Sequence, residues 1–143
     1  MNPEEYLQSR VDDQIDWYSK KSETNQKWFK TLKLVEITAA AVIPFVAGMT
    51  TSIPYTSWIL GFLGVTVAIC AGVTSIYHHQ ENWINYRATS ESLKHEKYLF
   101  LTKSGSYSDE NNFETFVQQI ETLISKENST WTASSQKQTK KQA

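Results

Sequence analysis

The sequence predicts an all-α membrane protein, with a transmembrane helical hairpin and long amphipathic cytoplasmic helices before and after it. Three observations lead to this fold class. Residues 37–80 contain no Asp, Glu, Lys or Arg, although charged residues make up 20% of the chain. Apolar residues on either side of this stretch recur every three or four positions, as on one face of a helix. Residues 4–34 and 78–104 contain no Gly or Pro, so nothing interrupts a helix there.

Composition and motifs argue against several classes of function. The net charge of -1 and the lack of a basic patch interleaved with aromatic residues give no sign of nucleic-acid binding. Cys70 is the only cysteine, so neither an internal disulfide nor a cysteine-based zinc site is expected. No glycine-rich phosphate loop or catalytic triad motif is present. We therefore expect no enzymatic activity, no catalytic or metal-binding residue and no cofactor. The charged first 33 residues also argue against a removable signal peptide.

The first helix is predicted over about residues 3–33. Asn2 is a suitable N-cap, and Pro3 stands at the first helical position, where its missing N–H is not needed. Glu4 and Glu5 favour the positive end of the helix dipole. An apolar stripe follows, formed by Leu7, Val11, Ile15, Tyr18, Trp28 and Leu32. We expect one long amphipathic cytoplasmic helix, with residues 22–26 as its weakest point.

A first transmembrane span is predicted over about residues 34–51. Its 18 residues make a helix of about 27 Å, against roughly 30 Å of hydrocarbon. Glu36 lies in its first turn, at the depth of the lipid headgroups. Pro44 lies mid-span and should kink the helix, either as a packing feature or as a gating hinge.

A second span is predicted over about residues 57–77, after a short turn that contains Pro54. Its 21 residues make a helix of about 31 Å, which matches the bilayer core. Lysines precede the first span, basic residues follow the second, and the turn has none. The positive-inside rule therefore predicts a multi-pass protein with both termini in the cytoplasm.

The second span carries two rows of small or weakly polar residues. Gly61, Gly64, Ala68, Gly72 and Ser75 form a stripe that lets another helix approach closely, either the first span or a second copy of the chain. Thr66, Cys70 and Thr74 form a row spaced by four residues. The two hydroxyls of this row either bond to carbonyls one turn earlier or line a pore.

Two more amphipathic cytoplasmic helices are predicted over about residues 78–102 and 109–127. The second has an apolar face made of Phe113, Phe116, Val117, Ile120, Leu123 and Ile124. This face can cover the groove between the first helix and the one after the spans, completing a helical bundle. Residues 1–131 would then form a single domain. Residues 132–143 lack large apolar residues and are expected to be a disordered tail.

Several runs of residues, taken together and in order, resemble the SLATT superfamily of bacterial two-span membrane effectors, a group also classed as a domain of unknown function. The similarity covers about residues 5–131. It lies in DQIDWY at 13–18, WF at 28–29, LVEI at 34–37, QENW at 80–83 with Tyr86 and Arg87, the row Glu91, Leu93, Glu96, Lys97 and Tyr98, and ENSTW at 127–131.

The resemblance implies an effector that oligomerises on an upstream signal and forms a pore in, or perturbs, the inner membrane in a bacterial conflict or antiphage system. Its expected partners are the lipid bilayer, further copies of itself and an upstream nucleotide-signal synthase or sensor protein. We hypothesise that the cytoplasmic helices hold the closed state. The residues expected to couple them to the spans are Glu36, Glu81, Trp83, Tyr86, Arg87 and Glu91.

Two rival interpretations remain open at this point. In the first, the hairpin only anchors a non-enzymatic scaffold or adaptor that presents its cytoplasmic helices to a partner. In the second, residues 37–80 form the central hairpin of a soluble helical bundle. Fractionation without detergent separates the second interpretation from the membrane ones, and toxicity on expression separates an effector from a scaffold.

Overall fold

A computed structural model describes residues 1–49, 51–52 and 54–142, and in this part of the chain the secondary structure is helical, without strands. The all-α prediction is therefore confirmed. In chain order the helices are α1 (Pro3–Tyr6), a short π-helical segment (Leu7–Asp12), α2 (Asp13–Ala47), α3 (Thr56–Tyr77), α4 (His79–Leu101), a 3-10 turn (Gly105–Tyr107) and α5 (Asn112–Gln142).

The chain begins its first helix as the sequence predicts. The side chain of Asn2 accepts a hydrogen bond from the backbone N–H of Glu4 at 3.4 Å, and Pro3 is the first helical residue. The helical path then continues through the expected weak point, since α2 runs from Asp13 to Ala47 without a break. It also continues through Pro44, three residues before it ends.

The chain divides into two compact units, which are described separately. The first comprises residues 1–22 and the chain from Ile84 onward. It is a helical bundle of α1, the start of α2, most of α4, and α5. Its core holds Tyr6, Leu7, Val11, Ile15, Tyr18, Leu93, Tyr107, Phe116, Ile120 and Ile124. The predicted apolar face of the last helix is confirmed, because all six of its residues belong to this core or pack against it.

The second unit, Glu23–Trp83, holds the rest of α2, all of α3 and the first residues of α4. Its buried side chains are few and mostly small, among them Ala39, Val46 and Cys70. Most of its large apolar side chains are exposed instead. This unit therefore has almost no core of the kind that stabilises a protein in water.

Among the described residues, one helix is long and apolar enough to cross a membrane by length and composition. It lies in the stretch Thr56–Tyr107, and its apolar window has a mean hydropathy of 2.2 with 6% of the window buried. The predicted second span corresponds to α3 within this stretch. The predicted first span does not meet the same criterion. Because α2 ends at Ala47, an 18-residue window inside it reaches back to Lys30 and takes in three charged residues.

One boundary next to α3 differs from the sequence-based prediction, and part of the turn before α3 cannot be compared. The predicted turn at residues 50–56 includes Thr50 and Ile53, which lie outside the described residues. No Gly or Pro separates the second span from the helix predicted after it, yet His78 interrupts the helical path in the left-handed conformation, with φ of 46°. The N–H of His78 donates to the carbonyl of Thr74 at 3.2 Å, which closes α3 before α4 begins.

The predicted disordered tail is helical in the structure as far as Gln142, and Ala143 lies outside the described residues. No Gly or Pro follows Gly105, so no residue stops α5. Hydroxyl groups along the helix also donate to carbonyls one turn earlier. Examples are Ser129 to Ser125 at 3.0 Å and Thr130 to Lys126 at 2.9 Å. These local bonds satisfy polar side chains that would otherwise compete with the helix.

Candidate functional site

The most conspicuous surface of the second unit is a set of exposed large apolar side chains, which we call the apolar belt. The belt comprises Leu34, Val35, Ile37, Val42 and Phe45 on α2 and Trp58, Ile59, Phe62, Val65, Ile69, Ile76 and Tyr77 on α3. Phe62, for example, is 74% exposed. Exposing apolar surface to water costs about 25 cal/mol per Å², and soluble proteins rarely expose contiguous patches beyond a few hundred Å². Exposed apolar surface of this kind is typical of a contact with a partner or a membrane.

The small-residue stripe lies on the exposed surface of α3. Gly61, Gly64, Ala68, Gly72 and Ser75 are all exposed. A Cβ atom added at any of the three glycines would meet no atom within 4 Å. The three glycines of the stripe therefore make no close contact with the rest of the described chain, and the space beside them is open to contact with another helix. That contact remains a prediction.

The row Thr66, Cys70 and Thr74 is less exposed than the stripe. Cys70 is buried, and both threonine side chains are half-buried. The hydroxyl of Thr66 donates to the carbonyl of Phe62 at 2.9 Å, and that of Thr74 donates to the carbonyl of Cys70 at 2.8 Å. These are the bonds back to the preceding turn that the sequence offered as the alternative to pore lining. A pore-lining role stays a prediction.

An apolar cleft of about 390 Å³ opens between the two helices of the second unit. Residues of α2 and α3 line it together, and Thr38 and Thr66 are its polar members. The full lining is Leu34, Val35, Thr38, Ala39, Val42, Phe62, Leu63 and Thr66. The two helices therefore leave room between them for side-chain or lipid-chain carbon atoms.

Glu36 and Pro44 lie on α2. Glu36 forms an ion pair with Lys33, one turn earlier on the same helix, with 3.1 Å between Oε2 of Glu36 and Nζ of Lys33. The side chain of Glu36 is 20% exposed. The pairing lowers the cost of placing this carboxylate beside apolar neighbours. Pro44 is exposed, and its carbonyl accepts a bond from the N–H of Gly48 at 3.1 Å. Its role as a hinge remains a prediction.

His79 lies just beyond the apolar part of α3, with its ring against two aromatic rings. The ring of Trp28 stacks at 6.4 Å between centroids and the ring of Tyr77 at 5.6 Å, both within 15° of parallel. Nδ1 of His79 lies 3.1 Å from Oδ1 of Asn25. Burial lowers the pKa of His79 below its ordinary value, because the charged ring loses solvation.

In the bundle, Glu121 of α5 is the acceptor for two side chains of the first helical turns. Arg10 donates to both of its carboxylate oxygens, each at 3.0 Å, and the hydroxyl of Tyr6 donates to Oε1 at 3.0 Å. The bond from Arg10 holds the pKa of Glu121 below its ordinary value. Burial and the bond to Glu121 raise the pKa of Tyr6 to about 12. This set fixes α5 against α1.

Three more polar contacts connect the helices of the bundle. The hydroxyl of Tyr18 donates to Glu127 at 3.2 Å, the hydroxyls of Ser19 and Ser90 lie 2.8 Å apart, and Lys97 forms an ion pair with Asp12. Tyr107 donates to Glu96, and burial is the largest cause of its raised pKa. All of these contacts join residues far apart in the sequence or across a turn. Sequence reasoning missed them, since nothing local identifies the partner.

The residues predicted to couple the spans to the bundle are divided between the two units, with Glu36, Glu81 and Trp83 in the second and Tyr86, Arg87 and Glu91 in the first. Glu81 is exposed in the first turn of α4, Trp83 is half-buried, and Arg87 is exposed. Glu91 forms an ion pair with Lys94 at 3.2 Å on its own helix.

Tyr86 is the coupling candidate that packs into the bundle. Its ring lies edge-on to Trp17 at 5.9 Å and tilted against Tyr18 at 6.1 Å. Burial and the nearby Glu127 raise its pKa. It therefore serves the core of the first unit, and coupling remains a prediction for the set as a whole.

The described part of the chain contains no group of three or more His, Cys, Asp or Glu side chains that could hold a metal ion. Comparison with known proteins adds one result. Residues 13–115 match the family described as "Protein of unknown function (DUF4231)". No curated protein matches the chain, and no solved structure does. Since the match covers more than half of the 143 residues, the chain belongs to the DUF4231 family.

Proposed function

We propose that this chain is a two-span membrane effector whose copies assemble and open or perturb a bilayer. The observation that carries the proposal is the apolar belt. A unit whose largest apolar residues are exposed, and whose apolar window is 6% buried, is suited to hydrocarbon rather than water. The bilayer is then the first partner of the chain, and the proposed function is to open or perturb that bilayer rather than to catalyse a reaction.

The two-span topology is part of the proposal. The helical, charge-poor part of α2 is 14 residues long from Leu34 to Ala47, or about 21 Å. A bilayer accommodates so short a span by thinning locally while flanking lysines extend to the headgroups. Lys27, Lys30 and Lys33 precede it, and Glu36 is paired with Lys33 at the expected headgroup depth. By the positive-inside rule both termini then lie in the cytoplasm, with the chain in the inner membrane.

Assembly follows from the number of spans. Two helices cannot enclose a channel, so a pore needs several copies of the chain. The exposed stripe of Gly61, Gly64 and Gly72 permits close helix approach and is our candidate contact between copies. Residues 37–80 carry no acidic or basic residue except His78 and His79, so a pore built from them would be poorly selective.

The biological setting rests on the resemblance to the SLATT superfamily. Under that resemblance, an upstream nucleotide-signal synthase or sensor protein triggers assembly, and membrane damage arrests an infected bacterial cell. The bundle would hold the inactive state until the trigger acts.

Dye release from vesicles tests the proposal. Purified chain reconstituted into vesicles with an entrapped dye should release it increasingly as protein density rises. Replacing Gly64 and Gly72 by Leu should reduce release and change oligomer size, because larger side chains prevent close approach. Ile69→Leu is the matched control, since Ile69 is exposed about 60° outside the stripe around the helix axis and should leave release unchanged. Inserted protein that releases no dye at any density would contradict the effector proposal and leave the scaffold interpretation.

Topology is tested separately by protease protection of tags at the two ends. Two spans place both tags on the same side of the membrane, whereas α3 alone as a span places them on opposite sides. Opposite sides would overturn the two-span proposal without bearing on whether the chain resides in a membrane.

A further inference from the structure

The second half of α5 carries a basic face that the bundle does not use. Successive residues of an α-helix are rotated by about 100° around its axis. On that geometry Lys126, Lys137, Lys140 and Lys141 fall within one sector of about 100°. All four are exposed. We call this surface the basic stripe.

The basic stripe is electrostatically uncompensated on its own helix. The acids of α5 are Glu114, Glu121 and Glu127, and by the same geometry all three lie outside the sector. Glu121 and Glu127 are already engaged by Arg10, Tyr6 and Tyr18. No acid follows Glu127 in the sequence. Within the described residues, no ion pair joins any of the four lysines to a carboxylate.

The direction in which α5 runs shows at which end of the bundle the basic stripe lies. Tyr6 reaches Glu121, whereas Tyr18, three turns later, reaches Glu127. Helix α5 therefore runs in the same direction as the first helices, and its basic half follows the end of the bundle marked by Tyr18. Tyr86 also packs at that end. Since the first unit extends to Ser22 and resumes at Ile84, this is also the end at which the chain leaves the bundle and returns to it.

We propose that the basic stripe of α5 docks on the anionic headgroups of the membrane leaflet beside which the bundle lies. The inference rests on the proposed membrane residence of the chain. An inserted chain is tethered to the leaflet, so the local concentration of headgroups is high and a few lysines suffice. Each lysine near an anionic leaflet strengthens binding about fivefold. Charge complementarity identifies the occupant as anionic phospholipid, and docking would hold α5 in one orientation on the leaflet.

The test uses the full chain in vesicles, with a fluorophore on the stripe. Ala133 is exposed and falls in the same sector, so Ala133→Cys in a Cys70→Ser background gives a single labelling site. The probe is quenched by lipids that carry a nitroxide on the headgroup. Vesicles are made of phosphatidylcholine alone or with added phosphatidylglycerol.

Quenching is expected in vesicles with phosphatidylglycerol and not in phosphatidylcholine alone, and high salt should remove it because screening shortens the range of the attraction. Replacing Lys137, Lys140 and Lys141 by Gln should weaken docking about a hundredfold. The matched control replaces the same three residues by Arg, which keeps the charge and should keep the quenching. Equal quenching in both lipids, or in the Gln and Lys proteins, would overturn the inference.

Failure of membrane residence gives a different result. A chain that does not incorporate into neutral vesicles contradicts the proposed function. Sedimentation with phosphatidylglycerol vesicles then decides the docking inference alone. The Lys and Arg proteins should sediment and the Gln protein should not, and equal behaviour of all three would overturn it.

Discussion

The two units of this chain differ in how far they expose side chains of the same type to solvent. Phe116 is fully buried in the bundle, whereas Phe62 of α3 is 74% exposed. Ile120 and Ile69 differ in the same manner, at 0% and 59% exposed. Removing apolar side chains from water is the main driving force for forming a core such as that of the bundle. The comparison therefore teaches that, within 143 residues, the bundle buries its apolar side chains as a core in water does, whereas the apolar belt leaves them exposed.

The matched pair of phenylalanines gives the largest expected effect. Phe116→Ala should lower the free energy of unfolding of the bundle by about 3–5 kcal/mol, since it leaves a cavity in the core. Phe62→Ala should leave that free energy nearly unchanged, because the side chain packs against little in the chain. Denaturant unfolding followed by circular dichroism in mild detergent measures both. Equal losses in the two variants would remove the distinction between the units.

A matched pair of isoleucines tests the solvent around α3. Ile69 lies near the middle of α3, and a lysine there should disfavour membrane insertion by about 3 kcal/mol. Ile84→Lys changes a residue on α4 of the bundle that is 46% exposed, and insertion should stay as in the unchanged chain. The fraction of protein resistant to alkaline extraction from membranes is the readout. If Ile69→Lys remained fully membrane-bound, α3 would not lie in hydrocarbon.

Tyr6 predicts how the bundle responds to alkali. Its pKa is raised from 10.0 to about 12, so folding favours the protonated phenol. The resulting stabilisation is fully present below about pH 10 and is lost as the pH rises through 12. Tyr6→Phe should cost about 1 kcal/mol at neutral pH through the lost hydrogen bond and should flatten the alkaline decline. Unfolding midpoints against pH decide it, and an unchanged slope would contradict the assignment.

Glu121 gives the smallest expected effect, at the acid end. Its pKa is lowered from 4.5 by the bond from Arg10, so its contribution is present above about pH 4.5 and is lost as the pH falls through the lower folded value. Both partners are more than 40% exposed, so the pair contributes under about 1 kcal/mol. Glu121→Gln should therefore remove part of the acid sensitivity of the bundle. Glu91→Gln breaks an exposed pair within one helix and is the control.

Local patterns in the sequence were enough to predict the helices and much of the bundle. The apolar face of α5 follows from 3.6-residue periodicity, and Asn2 with Pro3 identifies the start of α1. The sequence did not predict the break at His78, because the residues that usually mark a helix end, Gly and Pro, are absent there and a left-handed histidine is uncommon. The helical tail was missed because composition suggested disorder, while the absence of Gly and Pro favoured the helix.

The candidate site was less predictable than the fold. Helical spacing predicts that Gly61, Gly64 and Gly72 share one face, but only the structure shows that a Cβ atom added at any of them would meet no atom within 4 Å. Contacts such as Arg10 with Glu121 join residues 111 positions apart. No local rule identifies such a pair, because its partners meet only once the bundle has formed. The first span was predicted to end near residue 51, whereas α2 ends at Ala47, so the apolar part of this helix is four residues shorter than predicted.

The difference between the two units is tested most directly by nitroxide accessibility in vesicles. Single labels at Phe62 on α3 and at Tyr98 on α4, each in a Cys70→Ser background, report exposure to oxygen, which concentrates in lipid, and to a water-soluble nickel complex. Both native residues are more than 60% exposed, so neither label disturbs a core. We expect the label at Phe62 to collide mainly with oxygen and the label at Tyr98 mainly with nickel. Nickel accessibility at both positions would contradict the membrane assignment of the apolar belt.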